Sequence, residues 1–228
     1  MKDKLQYFKI AKELNKDLKS ELLEKKVHFR ANENSFSLVS LSPKTPELGK
    51  SNLKIREKGI EALRSEEFAS LKSPGRSTPE KSLQAWIISN AITNNYRLPF
   101  DENIRLITSE LAFKNDEDVR VVNDILGYCE KDKQICVIEL KSKRLMKELI
   151  NQVKDFEDII LKRQSFFTEL LSLYDYQNHS EFSKIKKIIV WPYADTKPKE
   201  EFKEKNIIEV AYTRYITTED EERYTFTR

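Results

Sequence analysis

The chain has 228 residues, 35% of them charged and 39% hydrophobic, with a formal net charge of +3 and a mean hydropathy of −0.65. That is enough apolar material for one sizeable core, and no run of about 18 apolar residues is present to cross a bilayer. The opening Met1-Lys-Asp-Lys-Leu-Gln6 lacks the apolar stretch of a secretory leader, so a cytoplasmic protein with no membrane attachment is expected.

Residues 4–25 carry an apolar stripe at helical spacing through Leu5, Phe8, Ala11, Leu14, Leu18 and Leu22. A hairpin follows, with strands from Lys26 to Arg30 and from Ser35 to Leu41 around the turn Ala31-Asn-Glu-Asn34. The Pro- and Gly-containing stretch 42–52 reads as a loop, and 53–71 returns to helical spacing. Ser73-Pro-Gly-Arg-Ser-Thr-Pro79 is the strongest break in the chain. It divides an N-terminal basic helical and hairpin region, 1–77, from a larger domain, 78–228. In the first region 17 Lys and Arg stand against 11 Asp and Glu, and the remainder is net negative. A basic arm of this kind suits phosphate contacts, and a solvated helical surface has the same composition.

Beyond the break, Thr78 caps a helix that has Pro79 at its first position and runs to about Asn94. Strands are expected at 104–113, 119–129 and 134–141, then a long helix over about 144–174. Further strands at 185–191 and 206–212 close a mixed α/β fold, and the aromatic stretch Tyr212–Phe226 reads as an edge hairpin or a partner-binding tail. Cys129 and Cys136 fall on adjacent strands and are expected to be packed thiols rather than a disulfide.

Two of these strands carry ionisable groups where a buried sheet prefers none. Glu139 and Lys141 are two apart in Ile135-Cys-Val-Ile-Glu-Leu-Lys141, so both leave one face of the pleat. Asp124 lies on the preceding strand. A hairpin centred on Lys131-Asp132 sets Asp124 opposite Glu139; one centred on Asp132-Lys133 sets it opposite Lys141. Either register gathers two carboxylates and an ammonium within roughly 5 to 8 Å. Carboxylates so placed repel each other unless a cation intervenes, and Mg²⁺ is the usual oxygen-preferring choice.

An Asp followed some fifteen residues later by Glu-x-Lys on an apolar strand resembles the PD-(D/E)XK superfamily of restriction-endonuclease-like nucleases. Asn-Asp124-Ile-Leu-Gly-Tyr and Val-Ile-Glu139-Leu-Lys141 carry the resemblance, which spans about residues 78–212; Asn123 stands where the name-giving Pro usually stands. It implies an αβββαβ core flanked by helices and a Mg²⁺-dependent (or Mn²⁺-dependent) nuclease acting on DNA in restriction, phage defence or repair, with RNA left open. Asp124, Glu139 and the Leu140 carbonyl become the implied metal ligands, and Lys141 the residue that orients water or offsets charge on the phosphate. Glu80, in the first turn of the preceding helix, is implied as one more acid, although the helix dipole alone favours Glu there. Gln84, one turn on, could position a water or phosphate. Gln152 is expected on the inward side of the long helix near the metal, and Glu110 is a weaker rival acid. Lys143, Arg144 and Lys147 flank the strand end as candidate phosphate contacts.

Cutting both strands of a duplex takes two such sites, which makes a homodimer the expected assembly; a partner protein that licenses cutting is left open. The competing expectation is a non-cleaving regulatory protein on the same fold that binds nucleic acid or protein. Four glycines leave no phosphate loop of the P-loop or Rossmann kind. His28 and His179 have no Cys or acidic partner at useful spacing, which argues against a triad or a His-metal site.

Overall fold

A computed structural model describes residues 5–41, 48–51, 78–144, 147–176, 182, 184–194, 202, 206–218 and 222–228. The expected helix over 53–71, positions 73–77 of the break and His179 lie outside them.

The first apolar stripe folds as two helices, α1 (Gln6–Asp17) and α2 (Lys19–Glu24), with the chain turning at Leu18. The hairpin is β1 (Val27–Asn32) and β2 (Ser35–Ser40), its first strand ending two residues later than expected, and β3 (Leu48–Ser51) pairs with β2 in a small sheet. Helix α3 (Pro79–Thr93) begins at the expected cap, where the Thr78 side chain accepts a bond from the Lys81 amide at 3.3 Å.

Among the described residues the main sheet has seven strands. In chain order they are β4 (Arg97–Leu98), β5 (Asp101–Lys114), β6 (Arg120–Cys129), β7 (Gln134–Leu140), β8 (Lys186–Pro192), β9 (Ile207–Ile216) and β10 (Glu222–Thr227). They lie side by side in the order β10-β9-β8-β7-β6-β5-β4: β4 to β7 are antiparallel neighbours, β7 to β9 run parallel, and β10 returns antiparallel as an edge hairpin. The parallel step from β7 to β8 needs a crossover, which α4 (Lys147–Lys162) and α5 (Gln164–Leu173) provide. These two replace the single long helix expected. The stripe Leu149, Val153, Phe156, Ile160 reaches Arg163-Gln164 where it needs an apolar residue. The chain bends there, with the Arg163 guanidinium over the Phe113 ring at 4.7 Å and bonded to Glu33 at 3.1 Å.

Each face of the sheet has its own core. One side packs α3, through Leu83, Ile87 and Ala91, onto Ile104, Ile125, Ile138 and Ile188. On the other side α4 and α5 share a cluster with α1, β1 and β2, so residues from both sides of the 73–79 break bury one another. Phe113 meets Phe166 at 5.5 Å and Phe167 at 5.8 Å between centroids, while Phe8 of α1 stands on Phe166 at 5.9 Å. Cys129 and Cys136 are free, buried thiols. Among the described residues no helix is long and apolar enough to cross a membrane.

Candidate active site

The chemistry-bearing residues meet where β6 and β7 part. Cys129 pairs with Gln134, which centres the hairpin on Lys131-Asp132, and the ladder runs as far as Ile125 opposite Ile138. The next step places Asp124 against Glu139, the first of the two registers. There side chains take over from the backbone ladder. Asn123 Nδ2 donates to the Ile138 carbonyl at 3.1 Å, and Asp124 Oδ2 accepts from the Leu140 amide at 2.8 Å. Strand separation is thus held open by two side chains rather than left ragged, and the second of them is the acid itself.

Glu139 is 4% exposed. Its Oε1 accepts a bond from Lys141 Nζ at 2.8 Å, an ion pair whose ammonium keeps some contact with solvent. Burial, and then the Asp124 carboxylate beside it, push Glu139 up to about 8 despite Lys141. Burial likewise raises Asp124, against the pull of the Leu140 amide and of Lys141 and Lys81. For Lys141, burial works against the charge, but Glu139 and Asp124 outweigh it and raise the ammonium above its usual range. Two carboxyls and one close ammonium therefore lie together where β6 and β7 part, and burial favours the uncharged form of both acids.

The other expected residues surround this pair in different roles. Glu80 reaches the end of β7, where its Oε1 accepts from the Ser142 amide at 3.0 Å and hydroxyl at 3.2 Å. It also adds negative potential at Asp124 and Lys141. Buried Gln84 donates to the Asp124 carbonyl at 2.8 Å, so it clamps the strand that carries the acid. Leu140 contributes its amide to Asp124, as above. Lys143 is exposed. Arg144 is engaged: it lies over the Trp191 ring at 4.3 Å and pairs with Glu209, whose Oε1 also accepts from Trp191 Nε1 at 2.7 Å. Lys147 opens α4, and its side chain lies outside the described residues.

Gln152 departs from expectation. It is exposed on α4, whereas Leu149, Val153 and Phe156 are the buried positions. Both 152 and 153 fit the spacing between 149 and 156, and the apolar Val takes the inward place.

Two cations and a fourth acid extend the site on its β5 side. Glu110 sits at the step of β5 that faces Asp124, between the pairs Ser109–Ile125 and Leu111–Asn123. Its backbone is left-handed, with φ 49°, which a non-glycine residue adopts at a cost of roughly 1 kcal/mol or more. One Glu110 oxygen takes Arg30 of β1 at 2.5 Å and the other takes Lys81 of α3. Neither Arg30 nor Lys81 stands out in the sequence. Lys81 follows Glu80 in the first turn of a capped helix, which was the available signal; Arg30 comes from the N-terminal hairpin and had none.

Among the described residues no group of three or more His, Cys, Asp and Glu side chains is placed to hold a metal ion alone. Two adjacent carboxylates nevertheless fit Mg²⁺, which is commonly held by one or two carboxylates with water and substrate phosphate completing its shell. Burial raises both acids and the Asp124 charge raises Glu139 further, a repulsion that a bound cation would relieve. No family model matches this chain, and no curated protein does.

Proposed function

We propose that the protein is a Mg²⁺-dependent nuclease that hydrolyses DNA phosphodiester bonds on a restriction-endonuclease-like core. The observation that carries this reading is the packing of the Asp124 and Glu139 carboxyls beside a Lys141 ammonium 2.8 Å from Glu139. An ion pair made only to stabilise the fold would need one acid for one base, and buried charges persist when so matched. Here there is one acid too many. The order α3, β5, β6, β7, α4, β8 also follows the αβββαβ plan of the nucleases that the Asp124…Glu139-x-Lys141 pattern resembles.

Asp124 and Glu139 would hold the ion, with Mn²⁺ as an alternative to Mg²⁺. Once bound, such an ion lowers the pKa of a water and polarises a phosphoryl oxygen. The chain's own groups do the rest. Lys141 orients the attacking water and offsets the charge that builds on the phosphate. Gln84 and the Leu140 amide fix Asp124 from its backbone and its carboxylate, and Glu80 ties down Ser142 so that Lys141 stays beside Glu139.

Purified protein is incubated with linear duplex, circular and single-stranded DNA in Mg²⁺, beside Glu139→Ala. Cleavage by the wild type that the variant lacks is the expected result. Intact substrates with the wild type under Mg²⁺ and Mn²⁺ would remove the nuclease reading.

A further inference from the structure

We infer that Lys81 is a substrate-binding residue that takes a phosphate of the nucleic-acid strand, and that Glu110 and Arg30 form the couple that stores it at the site between turnovers. The inference rests on the nuclease reading for its ligand, a phosphodiester backbone.

Lys81 occupies the first turn of α3, and its charge acts on Asp124. It is half exposed, with 52% of its side chain open, so a polyanion can reach it without disturbing the core. Its contacts include Glu110 and the Gln84 side-chain oxygen, the latter at 3.5 Å. Both are acceptor oxygens of the kind a phosphate would offer. Glu110 is much less exposed, at 19%, and has two cations for its two oxygens. Moving Lys81 from Glu110 to a phosphate therefore does not strand a bare carboxylate, because Arg30 still neutralises it. The left-handed backbone at Glu110 aims the side chain at both cations, a strained arrangement of the kind kept at working sites. Arg30 belongs to the N-terminal hairpin, so that region takes part in the site by setting how tightly Glu110 retains Lys81.

The test is equilibrium binding of a fluorescein-labelled DNA duplex and single strand in EDTA, over a range of KCl concentrations. Binding is then read without cleavage. For Lys81→Met the slope of log affinity against log salt falls by about 1, the signature of one lost phosphate contact. Lys81→Arg keeps the slope. Glu110→Gln tightens binding several-fold in the wild-type background and has little effect in Lys81→Met, since its action runs through Lys81. Thermal melts establish that each variant is folded. An unchanged slope in Lys81→Met, equal tightening by Glu110→Gln in both backgrounds, or no measurable binding by the wild type would each overturn the assignment. A wild type that binds with the expected slopes yet cuts nothing in Mg²⁺ would retain the Lys81 contact and remove the catalytic reading instead.

Discussion

The carboxylate of Asp124 and the backbone amide of Leu140 are joined by a 2.8 Å hydrogen bond across the point where two antiparallel strands stop pairing. One acid thus serves as structural fastener and candidate metal ligand. The two roles separate by substitution. Asp124→Asn keeps an acceptor for the amide and should fold with a melting temperature close to wild type while losing cleavage by 100-fold or more, a typical order for a lost electrostatic group. Asp124→Ala leaves the amide unsatisfied and should cost an additional ~1–3 kcal/mol in a urea denaturation series. Equal stability of the two variants would show that the bond contributes nothing.

Glu139 sets a pH dependence of known sign. Its folded value, about 8, lies above the ordinary 4.5, so the folded state binds the extra proton between those limits. The stabilising contribution is complete below pH 4.5 and is lost as pH rises to about 8, at up to ~1.4 kcal/mol per pH unit. In metal-free buffer, Glu139→Gln should therefore gain stability relative to wild type as pH rises from 5 to 8. Mg²⁺ binding should release protons at pH 7, which calorimetry in buffers of different ionisation enthalpy would register.

Lys141→Met tests the ammonium directly. The side chain is partly exposed and unbranched, so the fold should survive, with Glu139 pushed higher still for want of its partner. Cleavage should fall by on the order of 100- to 1,000-fold. Turnover within about tenfold of wild type, a tenth of the smallest loss expected from removing such a group, would exclude Lys141 from the chemistry.

Arg144 is expected to matter for stability rather than for DNA. Arg144→Ala removes the stacking on Trp191 and leaves Glu209, itself bonded to Trp191, short of its cation. A loss of roughly 3 kcal/mol or more is expected, as for a broken buried pair. The salt dependence of DNA binding should stay unchanged. A reduced slope with intact stability would return Arg144 to the set of phosphate contacts.

Local signals carried much of this architecture. Thr78-Pro79 placed the start of α3, apolar runs placed most of β6 and β7, and the Glu139-x-Lys141 spacing put both groups on one face. Two questions were not answerable locally. The hairpin Glu130-Lys-Asp-Lys133 admits two registers of similar turn chemistry, and only the pairing of Cys129 with Gln134 selects between them. Gln152 and Val153 fit the helical stripe about equally, and burial chooses by polarity only once the partner surface is present. The Arg30–Glu110–Lys81 cluster joins residues from three elements, and a left-handed residue inside β5 assembles it. No periodicity announces such a contact.

The edge-to-face contact of Phe8 with Phe166 makes the Pro- and Gly-bearing stretch before α3 a poor place to exchange parts. A chimera joined there would inherit half of an aromatic lattice from each parent, and the foreign half would have to match ring for ring. Divergence on one side of that seam is thus tied to compensating change on the other.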